Sequence, residues 1–136
     1  MRTGGDVVDL TDEDVESTFR GGRVVVTRGP FLDVSVDPGD HAAGTTLEVT
    51  AHGPSWIVTD RLQLWRDGAL VEEVAGTEAS FVLDPASDAI YTVVAVGSQP
   101  MQPLTGRTPW AMTGAYRIDV DGDGFDPPLP PLTIGD

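Results

Sequence analysis

The feature that most restricts how this chain can fold is a train of short, β-branched segments cut apart by glycine, proline and an Asp-Gly pair. Arg23-Val24-Val25-Val26-Thr27 is the first, bounded by Gly and Pro. Phe31, Leu32, Val34 and Val36 follow, with Asp33, Ser35 and Asp37 alternating between most of them. Thr46–Ala51 and Arg61–Arg66 show the two-residue period of strands with one buried face. Asp67-Gly68 then supplies the strongest short hairpin signal, and Ala69–Val74 returns as its partner. Ala79–Leu83 and Ala115–Val120 are two further strands. Ile90–Val96 is apolar almost throughout, as a central strand covered on both faces would be. Seven or eight short strands with turn signals between them predict a sandwich or barrel and exclude βαβ units.

One detail favours the immunoglobulin or fibronectin-III type. Leu83-Asp84-Pro85 leads through a polar stretch into Tyr91-Thr92-Val93-Val94, which resembles the start of the sixth strand in fibronectin-type domains. In that frame Tyr91 occupies a tyrosine corner, its hydroxyl bonded to upstream backbone, and Trp65 is the buried aromatic of the third strand. Plain core filling explains both residues equally well. The expected fold is therefore all-β, an immunoglobulin/fibronectin-III-like sandwich of about seven strands, preceded by one short helix.

That helix is written over residues 11–20. Thr11 and Asp14 form a capping-box pattern, and Asp12, Glu13 and Asp14 place negative charge at the positive end of the dipole. Leu10 and Val15 hold the staple positions, Val15 and Phe19 the apolar stripe, and Gly21-Gly22 the stop. The chain divides into an N-terminal segment, 1–22, that reads as the end of an upstream domain; a sandwich, 23–125; and a proline-rich tail, 126–136. Met1-Arg2-Thr3-Gly4-Gly5 reads as a start placed inside a longer protein. The connection from Gly97 to Gly114, with three prolines, has the length of a functional or mobile loop.

Twenty-two acidic residues against eight basic ones give 136 residues a formal charge of −14, and all eight basic residues are arginines. Such a surface repels phosphate backbones and anionic lipid, so nucleic acid and membrane partners are excluded. It suits divalent cations, high salt or a basic partner, and equally a soluble surface from an arginine-biased genome. No cysteine is present, so disulfides and thiolate metal sites are excluded.

No nucleophile elbow, phosphate loop or dinucleotide fingerprint occurs, and the expectation is that the chain is not an enzyme by itself. His41 and His52 have no metal spacing, and Asp40-His41 reads as a solvated loop. Glu72 and Glu73 are adjacent on a strand and point to opposite faces, so they cannot share a substrate. One motif carries chemistry. Asp119-Val120-Asp121-Gly122-Asp123-Gly124 repeats the first half of a calcium loop, with carboxylates at positions one, three and five and glycine at six. Asp119, Asp121 and Asp123 would bind calcium, with the Phe125 carbonyl and Asp126 completing the set. Pro130 stands where the bidentate Glu belongs, so affinity is expected on the order of 0.1–1 mM. The competing expectation is a polar turn whose Asp side chains bond local amides.

Two stretches together resemble a specific family. Asp14-Val15-Glu16 through Arg20-Gly21-Gly22-Arg23 to Pro30-Phe31 is similar to the point where a PHP-superfamily metallohydrolase barrel, of the carbaryl-hydrolase-like branch, passes into its C-terminal sandwich. Pro54-Ser55-Trp56-Ile57, Asp60–Trp65 with its Asp67-Gly68 turn, and Thr108–Thr113 running into Asp119–Gly124 resemble that sandwich. The resemblance implies a non-catalytic accessory domain packed against an upstream catalytic barrel. The family's metal ligands lie in the barrel, so no position here inherits a catalytic role. Arg28 stands where the family's turn has Asn, and Gly114-Ala115 where Asn-Pro is usual. The alternative is a free-standing extracellular fibronectin-like module, cation-dependent. An extracellular or periplasmic location is the favoured expectation, and a helix ahead of the first strand suits the accessory domain better.

Overall fold

A computed structural model describes residues 11–128. The staple residue Leu10, the first five residues and the tail beyond Pro128 lie outside the described residues.

The chain opens with helix α1 (Asp12–Arg20). Thr11 caps it: the Asp14 amide donates to Thr11 Oγ1 (3.2 Å), and the Thr11 amide donates to Asp14 Oδ2 (2.9 Å). The end is a Schellman motif, with Gly22 N–H donating to the Phe19 carbonyl, Arg23 N–H to the Thr18 carbonyl, and Gly22 at φ +69°. The expected apolar stripe is not what packs. Thr18 is the buried residue, its hydroxyl donating to the Asp14 carbonyl (2.8 Å), and Phe19 is 62% exposed. A helix held by so little apolar surface opens locally at low cost. We expect hydrogen exchange in α1 to be far faster than in the strand Ala89–Val96, and equal protection would place the helix in the core. The Thr11 side-chain and backbone bonds hold the Asp14 carboxyl below the usual carboxylate range. That contribution is complete above the ordinary Asp pKa and lost as pH falls through the lowered value, so acid should fray α1 first.

Ten strand segments follow: β1 (Val25–Arg28), β2 (Phe31–Val34), β3 (Gly39–Ala42), β4 (Thr45–His52), β5 (Arg61–Arg66), β6 (Ala69–Ala75), β7 (Glu78–Leu83), β8 (Ala89–Val96), β9 (Trp110–Thr113) and β10 (Tyr116–Asp119). The smaller sheet has the order β2-β4-β7. In the larger one, β6 pairs β5, β5 pairs β8, and the other edge of β8 is shared by β10 along its first half and β9 along its second. Setting aside the short segments β1 and β3, and counting β9 and β10 as two halves of one bent strand, leaves seven principal strands. Their chain order places the first, second and fifth in one sheet and the third, fourth, sixth and seventh in the other. That is a fibronectin-III-like β-sandwich, as the alternation predicts. The two added segments seal the far edge: β1 pairs antiparallel with β9, and β3 parallel with β10.

One core cluster lies between the sheets, built from Leu32, Leu47, Val49, Phe81 and Leu83 on one side and Leu62, Leu64, Tyr91, Val93, Ala111, Tyr116 and Ile118 on the other. The hairpin turn forms as expected, with Asp67 at φ +50° and Gly68 at φ +82°.

Several expectations are corrected. Trp65 does not enter the core: Leu62 and Leu64 take the inward positions, and Trp65 shares the outer face with Gln63, its indole N–H donating to Gln63 Oε1 (3.2 Å). Tyr91 is a core residue, and the long-range hydroxyl bond belongs to Tyr116, which donates to the Val36 carbonyl (2.9 Å). Burial pushes the Tyr116 phenol up, beyond the usual tyrosine range. Strand β8 is fully buried on its inner face and half-buried on its outer one, not covered on both. His41 lies in strand β3, its Nε2 2.7 Å from the Asp37 carbonyl and its ring beside Tyr116. The long connection is pinned by buried Met101, whose amide donates to the Arg107 carbonyl (3.0 Å), and it ends in β9.

Candidate metal centre

The candidate lies where β10 runs out of the larger sheet. Antiparallel register puts Ile118 opposite Ala89, so the next residue, Asp119, falls beside Asp88 at the end of the β7–β8 turn. Like charges facing each other across a strand pair are unfavourable unless something compensates. Backbone amides do so. Asp88 Oδ1 accepts from Val120 N–H (2.9 Å) and Asp88 Oδ2 from Asp126 N–H (2.7 Å). Asp119 Oδ1 accepts from Gly122 N–H (2.7 Å) and Asp119 Oδ2 from Gly124 N–H (3.0 Å). Gly122 and Gly124 take φ of +79° and +113°, which aims their amides back at Asp119.

Of the expected ligands, the structure brings Asp119 and Asp121 together and adds Asp88; one carboxylate oxygen from each lies within 4.8 Å of the others. Asp123 and Asp126 fall outside this triad. They line a shallow hollow with Asp88, Asp121 and Pro127. Asp123 instead donates its backbone N–H to Asp121 Oδ1 (3.4 Å); the neighbouring Asp121 carboxyl and its charge raise the Asp123 pKa, while hydrogen bonding from Asp123 lowers that of Asp121. Asp88 was absent from the sequence reading because it sits 31 positions before Asp119. The signal that could have found it is the strand register, since two antiparallel neighbours ending together bring their flanking acids side by side.

The larger sheet offers a second surface. Its outer face holds rows fixed by register: Val26, Met112, Val94, Gln63 and Glu73 in one, and Arg28, Trp110, Val96, Arg61 and Ala75 in the next. Thr92, Trp65 and Leu70 form a third, and Asp40, Arg117 and Ile90 a fourth. Three arginines (Arg28, Arg61, Arg117) stand here against three acids (Glu73, Asp40 and, at the end of β10, Asp119), a local balance of zero on a chain of −14. Arg28 donates to the Thr108 carbonyl (3.0 Å) and lies 5.9 Å over the Trp110 ring. The outer face of the smaller sheet differs: Asp33, Glu48 and Glu78 point outward there, and among the described residues of its strands no arginine does.

No protein-family model matches the chain, and neither does any curated protein. Among solved structures it is similar to the fibronectin(III)-like modules of Clostridium thermocellum CbhA. The TM-score there is 0.37 at 15% identity, over 66% of this chain and 95% of that one.

Proposed function

We propose that this chain is a non-catalytic accessory module that docks on a neighbouring domain through the outer face of its larger sheet. The observation that carries this is the contrast between the two outer faces. An acidic protein can bring a large surface against another domain only where its own charge is low, and apolar residues there supply the attraction. Val26 and Met112, paired across β1 and β9, are 50% and 37% exposed at one edge of that face. The resemblance to the C-terminal sandwich of carbaryl-hydrolase-like PHP proteins supports a metal-dependent hydrolase barrel as the neighbour. On this reading the pure chain hydrolyses no phosphoester, ester or carbamate with any divalent metal. Co-expressed with a PHP barrel from the same genome, it co-purifies with it, and Val26→Glu with Met112→Glu abolishes that while leaving the isolated chain folded. Metal-dependent turnover by the pure chain, or undiminished co-purification of the double variant, would sink the proposal.

A second reading, a cation-dependent free-standing module, is favoured by the convergence of Asp88 on Asp119 and Asp121. Calcium would relieve the crowding of these carboxylates. About 10 mM calcium against a Kd of about 1 mM stabilises by about 1.4 kcal/mol. The expected result is a rise of a few degrees in Tm that is lost in Asp121→Asn with Asp123→Asn. A Tm that calcium leaves unmoved removes this reading.

A further inference from the structure

We infer that the free edge of β6 is a docking site for an extended basic segment of another protein, added as a further strand. Strand β6 ends the larger sheet: among the described residues it pairs with β5 and with no other strand. Every residue in it except Val74 is exposed, Leu70 at 45% and Val71 at 44%. Edge strands are commonly blunted by lysine or other charged side chains, by proline, by a bulge or by extreme shortness. Strand β6 runs seven residues and has neither lysine nor proline. Its register shift against β5 falls between Leu64 and Trp65, opposite Val71, leaving the stretch from Glu72 to Ala75 in regular pairing.

What it carries instead is Glu72 and Glu73 at its centre. Their chemistry selects the occupant. A second copy of this chain, pairing antiparallel about a two-fold axis at the centre of β6, sets Glu72, or in the alternative register Glu73, against its own counterpart in the other copy. Like charges directly opposite are destabilising, and both copies carry −14. An incoming strand with two consecutive basic residues meets both glutamates, because neighbouring residues on a strand point to opposite faces. Glu73 accepts from Gln63 Nε2 (2.7 Å) and lies 3.5 Å from Arg61, both on β5, so its carboxylate leans over the sheet and Glu72 is the nearer of the two to an incoming strand. β-Branched residues on either side of the basic pair cover Leu70, Val71 and Val74. Main-chain bonds supply affinity and the charge pair supplies selectivity, as in other strand additions.

The probe is an acetylated, amidated peptide, Thr-Val-Val-Arg-Arg-Val-Val-Thr, added to the isotope-labelled full chain. At about 1 mM peptide it should shift the amides of residues 69–75 and slow their exchange, leaving β2 and β7 unchanged. Replacing Arg-Arg by Glu-Glu should weaken binding at least about tenfold, and Glu72→Arg with Glu73→Arg in the protein should reverse that preference. Both positions are exposed on the surface, so the reversed protein keeps its fold. Shifts confined to other strands, equal binding by a peptide with proline in place of its valines, or dimerisation of the chain through β6 would each overturn the inference.

Discussion

Replacing Gly114 by alanine should destabilise the domain by about 3 kcal/mol or more and lower Tm by roughly 10 °C. Gly114 sits at the bend between β9 and β10, where its amide donates to the Val24 carbonyl (2.8 Å). A Cβ built there would lie 2.0 Å from the Gly22 carbonyl oxygen and 3.2 Å from Pro38. The nearest obstacle is backbone, at the end of the Schellman motif that closes α1, so no side-chain rotation relieves it. A side chain at position 114 has no room in this packing. Urea unfolding tests the prediction, the expected sign being a lower midpoint at unchanged slope. A midpoint within error of the parent would mean that the helix exit does not press on the bend.

The second large effect is at Phe81. It is fully buried on β7, opposite Leu47 on β4, and its truncation to alanine should cost about 3–5 kcal/mol. The neighbouring Val82 is 58% exposed, and Val82→Ala should stay within about 0.5 kcal/mol. The pair tests the register itself, because a slip of one residue exchanges the two side chains between core and solvent. Comparable losses at both positions would refute the sheet pairing described for β4 and β7.

The parts of the fold legible in the sequence are those in which local pattern and tertiary outcome agree. Thr46–Ala51 alternates and is buried on alternate positions; Arg61–Arg66 and Ala69–Val74 flank a turn whose two residues both take positive φ. Strand β3 was not legible, because Gly39-Asp40-His41-Ala42 has no apolar period. It is extended only because β10 lies beside it in parallel register, with Arg117 Nε donating to Asp40 Oδ1 (2.5 Å) across the pair. Strand β9 was hidden in a proline-rich connection, where its four residues become a strand by pairing with β1 and β8. Trp65 could have been placed correctly: the alternation of Leu62 and Leu64 already puts it on the other face.

The acidic loop divides in the same way. The spacing of Asp119, Asp121 and Asp123 is a local property, and its glycines do adopt left-handed angles. Which carboxylates converge is not local, since Asp88 enters through the register of two strands far apart in sequence. The amide bonds to Asp119 are those of the polar turn that the same residues also predicted.

The bent last strand has a consequence for how the protein is made. Strand β8 is the centre of the larger sheet, yet the segments that cover one of its edges, 110–119, are synthesised only after it. At about 5–20 residues per second, roughly 1–5 s separate the appearance of Val96 from that of Asp119. Through that interval the most apolar strand of the chain has an unpaired edge, and β1 and β3, made long before, have nothing to pair with. Closure of the sandwich waits on these few late residues. Slowing translation across them prolongs the one stage at which nascent chains can capture each other through β8.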